Sequence, residues 1–122
     1  MVTGNTAELL PDYKGTFDVM TAEIDSATRY VHVEFYILSL DATTAPFFDA
    51  LARARGRGVA VRVLSDHLAG LMFPGRKETL KSLQDIGAEY HPMLSLRPLQ
   101  GKWQRPDLRN HRKILVVDGR VG

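Results

Sequence analysis

Val31-His32-Val33-Glu34-Phe35-Tyr36-Ile37-Leu38 is the stretch from which the fold can be read. It is dense in β-branched and aromatic residues, which suit a pleated strand. Its apolarity is nearly continuous rather than alternating, which predicts a strand buried on both faces, as in a parallel sheet. Upstream, Phe17, Met20, Ile24 and Ala27 recur at helical spacing, with Thr16 as the expected N-cap. Residues 1–15 read as a lead-in, anchored by Leu9-Leu10 and punctuated by Pro11-Asp12 and Gly15.

Downstream, Thr43-Thr44-Ala45-Pro46 opens a second helix, with proline in the first turn. Phe47, Phe48, Leu51 and Ala54 form its inner stripe, Arg53, Arg55 and Arg57 suit the negative end of its dipole, and Gly56 and Gly58 end it. Val59 to Ser65 reads as the second strand, with Asp66 at its carboxyl end. Residues 67–75 read as a loop, Glu78 to Ile86 as a third helix stopped by Gly87, and Ala88 to His91 as a short strand ended by Pro92. Met93 to Asn110 is a long irregular stretch, a length usual for functional lids and binding loops. The order αβαβαβ–loop–β predicts an α/β fold with a mostly parallel sheet flanked by helices. Ligands of such sheets collect beyond the carboxyl ends of the strands.

The chain has 122 residues, enough for one domain with a sizeable core, and an ordinary globular composition of 44% hydrophobic and 25% charged residues. There are no cysteines, which excludes a disulfide framework, a thiolate nucleophile and a cysteine-based zinc site. No run of about 18 or more apolar residues is present to span a membrane. The first residues also lack the basic-then-apolar order of a secretory signal. The net charge of +2 conceals an asymmetry: residues 1–50 carry two basic and eight acidic groups, residues 51–122 fourteen and six. The densest basic stretch runs through Arg97, Lys102, Arg105, Arg109, Arg112 and Lys113. That points to an anionic partner near the C-terminal half, whether phospholipid headgroup, membrane surface or nucleic acid. Trp103, among these cations, suits either a lipid interface or a cover over the core.

The last strand carries the chemistry. Asn110-His111-Arg112-Lys113-Ile114-Leu115-Val116-Val117-Asp118-Gly119 reads as a short buried strand, Ile114 to Val117, entered by a basic segment and left through an Asp-Gly turn. In extended backbone His111 and Lys113 share a face, about 6–7 Å apart, and Arg112 takes the other. An imidazole is both nucleophile and proton carrier near neutral pH, and a lysine beside it is a point charge for phosphate oxygens. Asp118 lies about 16 Å beyond Lys113 with opposite parity, so it is expected to be structural, accepting hydrogen bonds at the turn. Asn110 suits either orientation of His111 and substrate or a turn. Glu34, in a strand expected to be buried, needs a partner, either in a structural ion pair or near the site. Asp66, at a strand end, is similarly open. No convincing metal cluster is present, so none is expected.

These residues resemble the phospholipase D superfamily and its H-x-K-x(4)-D signature, and most of all its bacterial cardiolipin synthase branch. Glu34-Phe35-Tyr36-Ile37 is similar to that family's first strand. Arg57 to Asp66 resembles its R-G-V-x-V-R-V-L-x-D segment, and Arg109 to Gly119 its R-N-H-R-K-I-x-V-x-D-G run. The likeness extends from about residue 5 to residue 122. The family pattern continues with a small G-[GS]-x-N turn, and its members carry a second H-x-K module; neither is in this sequence, where His32, His67 and His91 are not followed at +2 by lysine.

The resemblance implies that residues 1–122 are the N-terminal part of a phospholipase D-like catalytic half-domain, truncated at both ends. It implies catalysis by His111 and Lys113, substrate binding by Asn110 and Arg109, supporting roles for Glu34 and Asp66, and no cofactor. The implied reaction is phosphatidyl transfer on phosphatidylglycerol through a phosphohistidine, with a second H-x-K half as partner and His111 as nucleophile or acid. The parent protein is expected at the cytoplasmic side of the cell membrane, and this chain alone to be soluble and inactive. A nuclease or other phosphodiesterase, and an inert folded module, are the alternatives. An exposed sheet edge would invite a dimer.

Overall fold

The computed structural model describes residues 3–95, 109 and 111–122. Its elements run α1 (Tyr13–Asp25), β1 (Tyr30–Phe35), α2 (Ala45–Gly56), β2 (Ala60–Asp66), α3 (His67–Met72), α4 (Arg76–Ile86), β3 (Glu89–Met93) and β4 (Lys113–Val117). The strands form one sheet in the order β3-β2-β1-β4. β1, β2 and β3 are parallel neighbours, as the alternation of strands and helices predicts. β4 pairs antiparallel with β1, Val31 opposite Val117 and Phe35 opposite Lys113.

Among the described residues, only one face of this sheet is covered. Val31, Val33 and Phe35 of β1, Val61 and Val63 of β2, and Leu115 and Val117 of β4 are buried. They share a core with Phe17 and Ile24 of α1, Phe47, Phe48 and Leu51 of α2, and Leu83 of α4. The alternate residues Tyr30, His32 and Glu34 are half-buried, and Arg62 and Leu64 are exposed. The expected burial of β1 on both faces is therefore corrected. Its continuous apolarity arises from two different surfaces, a core face and an open face on which Leu64, Ile114 and Val116 lie among polar groups.

Two element boundaries also differ from expectation. Asp12, not Thr16, caps α1: its Oδ2 accepts from the Gly15 amide, whereas the Thr16 hydroxyl bonds back to the Asp12 carbonyl. Residues 67–72, expected as loop, form the short helix α3, because the Asp66 carboxylate accepts from the Ala69 amide and caps it. α4 ends at Gly87, whose φ of 78° is the left-handed conformation glycine adopts freely.

Candidate active site at the carboxyl edge of the sheet

The direction of β4 places the H-x-K segment. Because β4 runs against β1, its first residue, Lys113, stands beside the last residue of β1, Phe35. His111, two residues earlier, thus reaches the edge where the parallel strands end, the edge at which open α/β sheets collect ligands. A histidine that precedes its strand would sit at the opposite edge of an all-parallel sheet. α1, α2 and α4 each lead by a short connection into the start of a parallel strand, so their N-termini, with partial positive charge, lie at the same edge.

The His111 ring packs on Tyr36, with centroids 3.9 Å apart and planes inclined by 38°. The backbone beneath is tied by the Tyr36 amide donating to the Arg112 carbonyl at 3.1 Å. Lys113 is exposed and lines a groove with Tyr13, Phe17, Phe35, Asp41 and Thr44, between the start of α1 and the connection from β1 to α2. Tyr36 is the residue that sequence reasoning missed. The β-strand pattern around Glu34-Phe35-Tyr36 carried no sign of it, since its role depends on which strand lies beside β1.

Asp66 joins this edge together. Its carboxylate is fully buried. Oδ1 accepts from the Ala69 amide at 2.9 Å, and Oδ2 faces Arg109 Nη1 at 3.3 Å. Arg109 is itself buried and also donates from Nη1 to the Leu94 carbonyl at 2.9 Å. One carboxylate thus holds α3 and the segment entering His111 in a fixed relation.

Asp118 stands at the far end of β4. Its Oδ1 accepts from the amides of Arg29 and Tyr30, each at 2.9 Å. Oδ2 accepts from the Thr28 amide and hydroxyl at 2.9 and 3.0 Å. The Tyr30 amide foremost, then those of Thr28 and Arg29, hold this carboxyl well below the usual carboxylate range. Asp118 adopts φ 55°, a left-handed conformation kept by this bond set.

Glu34 faces the open side of the sheet, opposite Ile114 on β4 and Leu64 on β2. Beside it Arg62 Nε donates to Glu89 Oε2 at 2.8 Å, and Arg62 Nη1 donates to His32 Nε2 at 3.3 Å. Asn110, Trp103, Lys102 and Arg105 lie outside the described residues. No helix among the described residues is long and apolar enough to cross a membrane.

Comparison with known proteins shows the family of the chain. Residues 20–122 match the family described as "Cardiolipin synthase, PLD-like domain". "Cardiolipin synthase A" of Pseudomonas putida (strain W619) is 35% identical over 121 residues, covering 99% of this chain and 25% of that protein. "Major cardiolipin synthase ClsA" of Bacillus subtilis (strain 168) is 31% identical over 120 residues, covering 97% of this chain and 24% of that protein. The chain therefore spans about a quarter of the length of these curated relatives. Among solved structures, the phospholipase D family member Nuc from Salmonella typhimurium superposes with a TM-score of 0.61 at 21% identity, covering 83% of this chain and 56% of that one. That likeness is one of fold.

Proposed function

The chain belongs to the cardiolipin synthase, phospholipase D-like family, and from that premise we propose that it carries one half of a phosphatidyl-transfer centre acting on phosphatidylglycerol. The observation that carries this reading is the antiparallel pairing of β4, which supports a phosphate site at the carboxyl edge built on His111 and Lys113. Lys113 holds the non-bridging oxygens as negative charge grows on them. His111 supplies one of two imidazoles, and Tyr36 orients its ring. A second H-x-K segment supplies the other.

One imidazole nitrogen bonds to the phosphorus of a phosphatidylglycerol as the bond to its headgroup glycerol breaks. The departing oxygen takes a proton from the other imidazole. The hydroxyl of a second phosphatidylglycerol then gives its proton to that imidazole and attacks phosphorus as the bond from phosphorus to the first imidazole nitrogen breaks. Cardiolipin and glycerol leave, and both histidines are restored. Arg109 acts through Asp66 on the position of the His111 segment. Asn110 contacts substrate or orients His111. Asp118 and Glu34 support the sheet. The 122-residue chain, with one such histidine, turns over no lipid by itself, and β3 and β4, the outer strands among the described residues, provide for pairing with a second copy.

The test is conversion of radiolabelled phosphatidylglycerol by a version of the protein that includes a second H-x-K segment. His111→Asn is expected to lower turnover by at least about a thousandfold, and Lys113→Ala by roughly a hundredfold or more. An acid-labile phosphoenzyme should be trapped in the parent and lost in one of the two histidine variants. Undiminished turnover in His111→Asn would sink the assignment. Salt-dependent DNA binding and cleavage, with no lipid turnover, would replace it with a nucleic-acid phosphodiesterase.

A further inference from the structure

Leu71, Met72 and Phe73, three consecutive residues at the end of α3, are 55%, 72% and 46% exposed. Single exposed apolar residues are ordinary, but a contiguous run of this size marks an interaction surface. α3 turns its buried residue, Ala69, inward, so the run forms a ridge on the outer side. Leu9, Leu10 and Tyr13, around the start of α1, are also exposed. Among the described residues, six of the eight large exposed hydrophobics therefore belong to segments at or leading to the carboxyl edge.

We propose that the ridge Leu71-Met72-Phe73 inserts into the interface of an anionic lipid bilayer and seats the carboxyl edge of the sheet at headgroup level. Three features on the molecule favour that occupant. Arg76 and Lys77 follow the ridge after Pro74 and Gly75, and Lys113 lies at the same edge, so cations border the apolar run as at a membrane surface. The buried Asp66 carboxylate caps α3 and also meets Arg109, so the ridge keeps a fixed relation to His111. An apolar element immersed in the acyl boundary brings a neighbouring phosphate site level with lipid phosphodiesters, rather than above them in water. This inference rests on the proposed lipid substrate for its purpose, but its evidence and its test concern binding alone.

The chain contains no cysteine, so one environment-sensitive fluorophore can be attached at a chosen position. Phe73→Cys and, as a control on the far end of α4, Gln84→Cys are labelled in the 122-residue chain. Each is mixed with vesicles of equal phosphatidylglycerol and phosphatidylcholine, then with phosphatidylcholine alone. The expected result is a blue shift and protection from aqueous quencher at position 73 on the anionic vesicles, with position 84 unchanged. Replacing Leu71, Met72 and Phe73 together by Ser should weaken sedimentation with these vesicles by at least about tenfold, given the apolar area withdrawn from lipid. Because Phe73 also lines a cavity with Ile37, Leu38 and Leu83, the double variant Leu71→Ser with Met72→Ser, whose side chains are mostly exposed, is the form expected to keep the parent's thermal midpoint and still bind more weakly. A label at position 73 that stays in water while the chain binds vesicles would overturn the proposal. So would a Ser variant that sediments as before, or one whose only loss is self-association in the ultracentrifuge, which would make the ridge an interface between copies. Insertion without phosphatidyl transfer in a longer protein would leave this inference standing and sink the functional reading instead.

Discussion

Asp118, at the opposite end of β4 from Lys113, binds backbone. Its four hydrogen bonds tie the end of β4 to residues 28–30, up to 90 residues away in sequence. Its folded-state affinity for protons is depressed, so the unfolded chain protonates first as the pH falls. The stabilisation is complete above the ordinary carboxylate range and declines as pH drops below about 4. Asp118→Asn, which keeps some acceptor capacity, should lower the thermal midpoint less than Asp118→Ala. The gap between parent and Asp118→Asn should narrow as the pH falls below 4; a gap independent of pH would contradict this account. Arg109 offers a harder test. Removing it leaves the buried Asp66 carboxylate without its cation, and Arg109→Ala is expected to cost about 3–5 kcal/mol in urea unfolding. Residue identities and their chemistry were legible in the sequence at these positions. Their partners were not, because Thr28, Leu94 and Ala69 carry no mark of what they will meet across the sheet.

At the scale of elements, strands and helices followed from apolar spacing, turn residues and β-branched runs, and β1, β2, α2 and α4 lie where those signals put them to within a few residues. The direction of β4 did not follow from its own composition. Lys-Ile-Leu-Val-Val is equally good as a parallel or an antiparallel strand, and the connection before it is long enough in sequence to allow either direction. α3 escaped notice because six residues are too few for a helical period to repeat. The cap of α4 was legible, and it can be tested. An added Cβ at Gly87 meets only Arg55 side-chain atoms at ordinary contact distance, so Gly87→Ala should cost about 1 kcal/mol through its positive φ alone. A neutral effect on the unfolding midpoint would mean that the turn relaxes.

The described residues form a two-layer arrangement with the proposed site at one edge, and its class was readable from the order of elements. That the described residues cover one face was not, because a strand that is apolar on a core side and mixed on its other side looks the same in sequence as one buried on both. β1, in the middle of the sheet, has β2 on one side and β4 on the other. That pairing also sets a schedule. A ribosome adding about 5–20 residues each second exposes β1 for several seconds before β4 exists to complete its hydrogen bonds. The nascent chain must hold an open-sided β1 through that interval, and a contact so distant in sequence is also slow to close after dilution from denaturant. His111 and Lys113 arrive with the strand that ends the wait, so the phosphate site we propose for them cannot form on a half-made sheet.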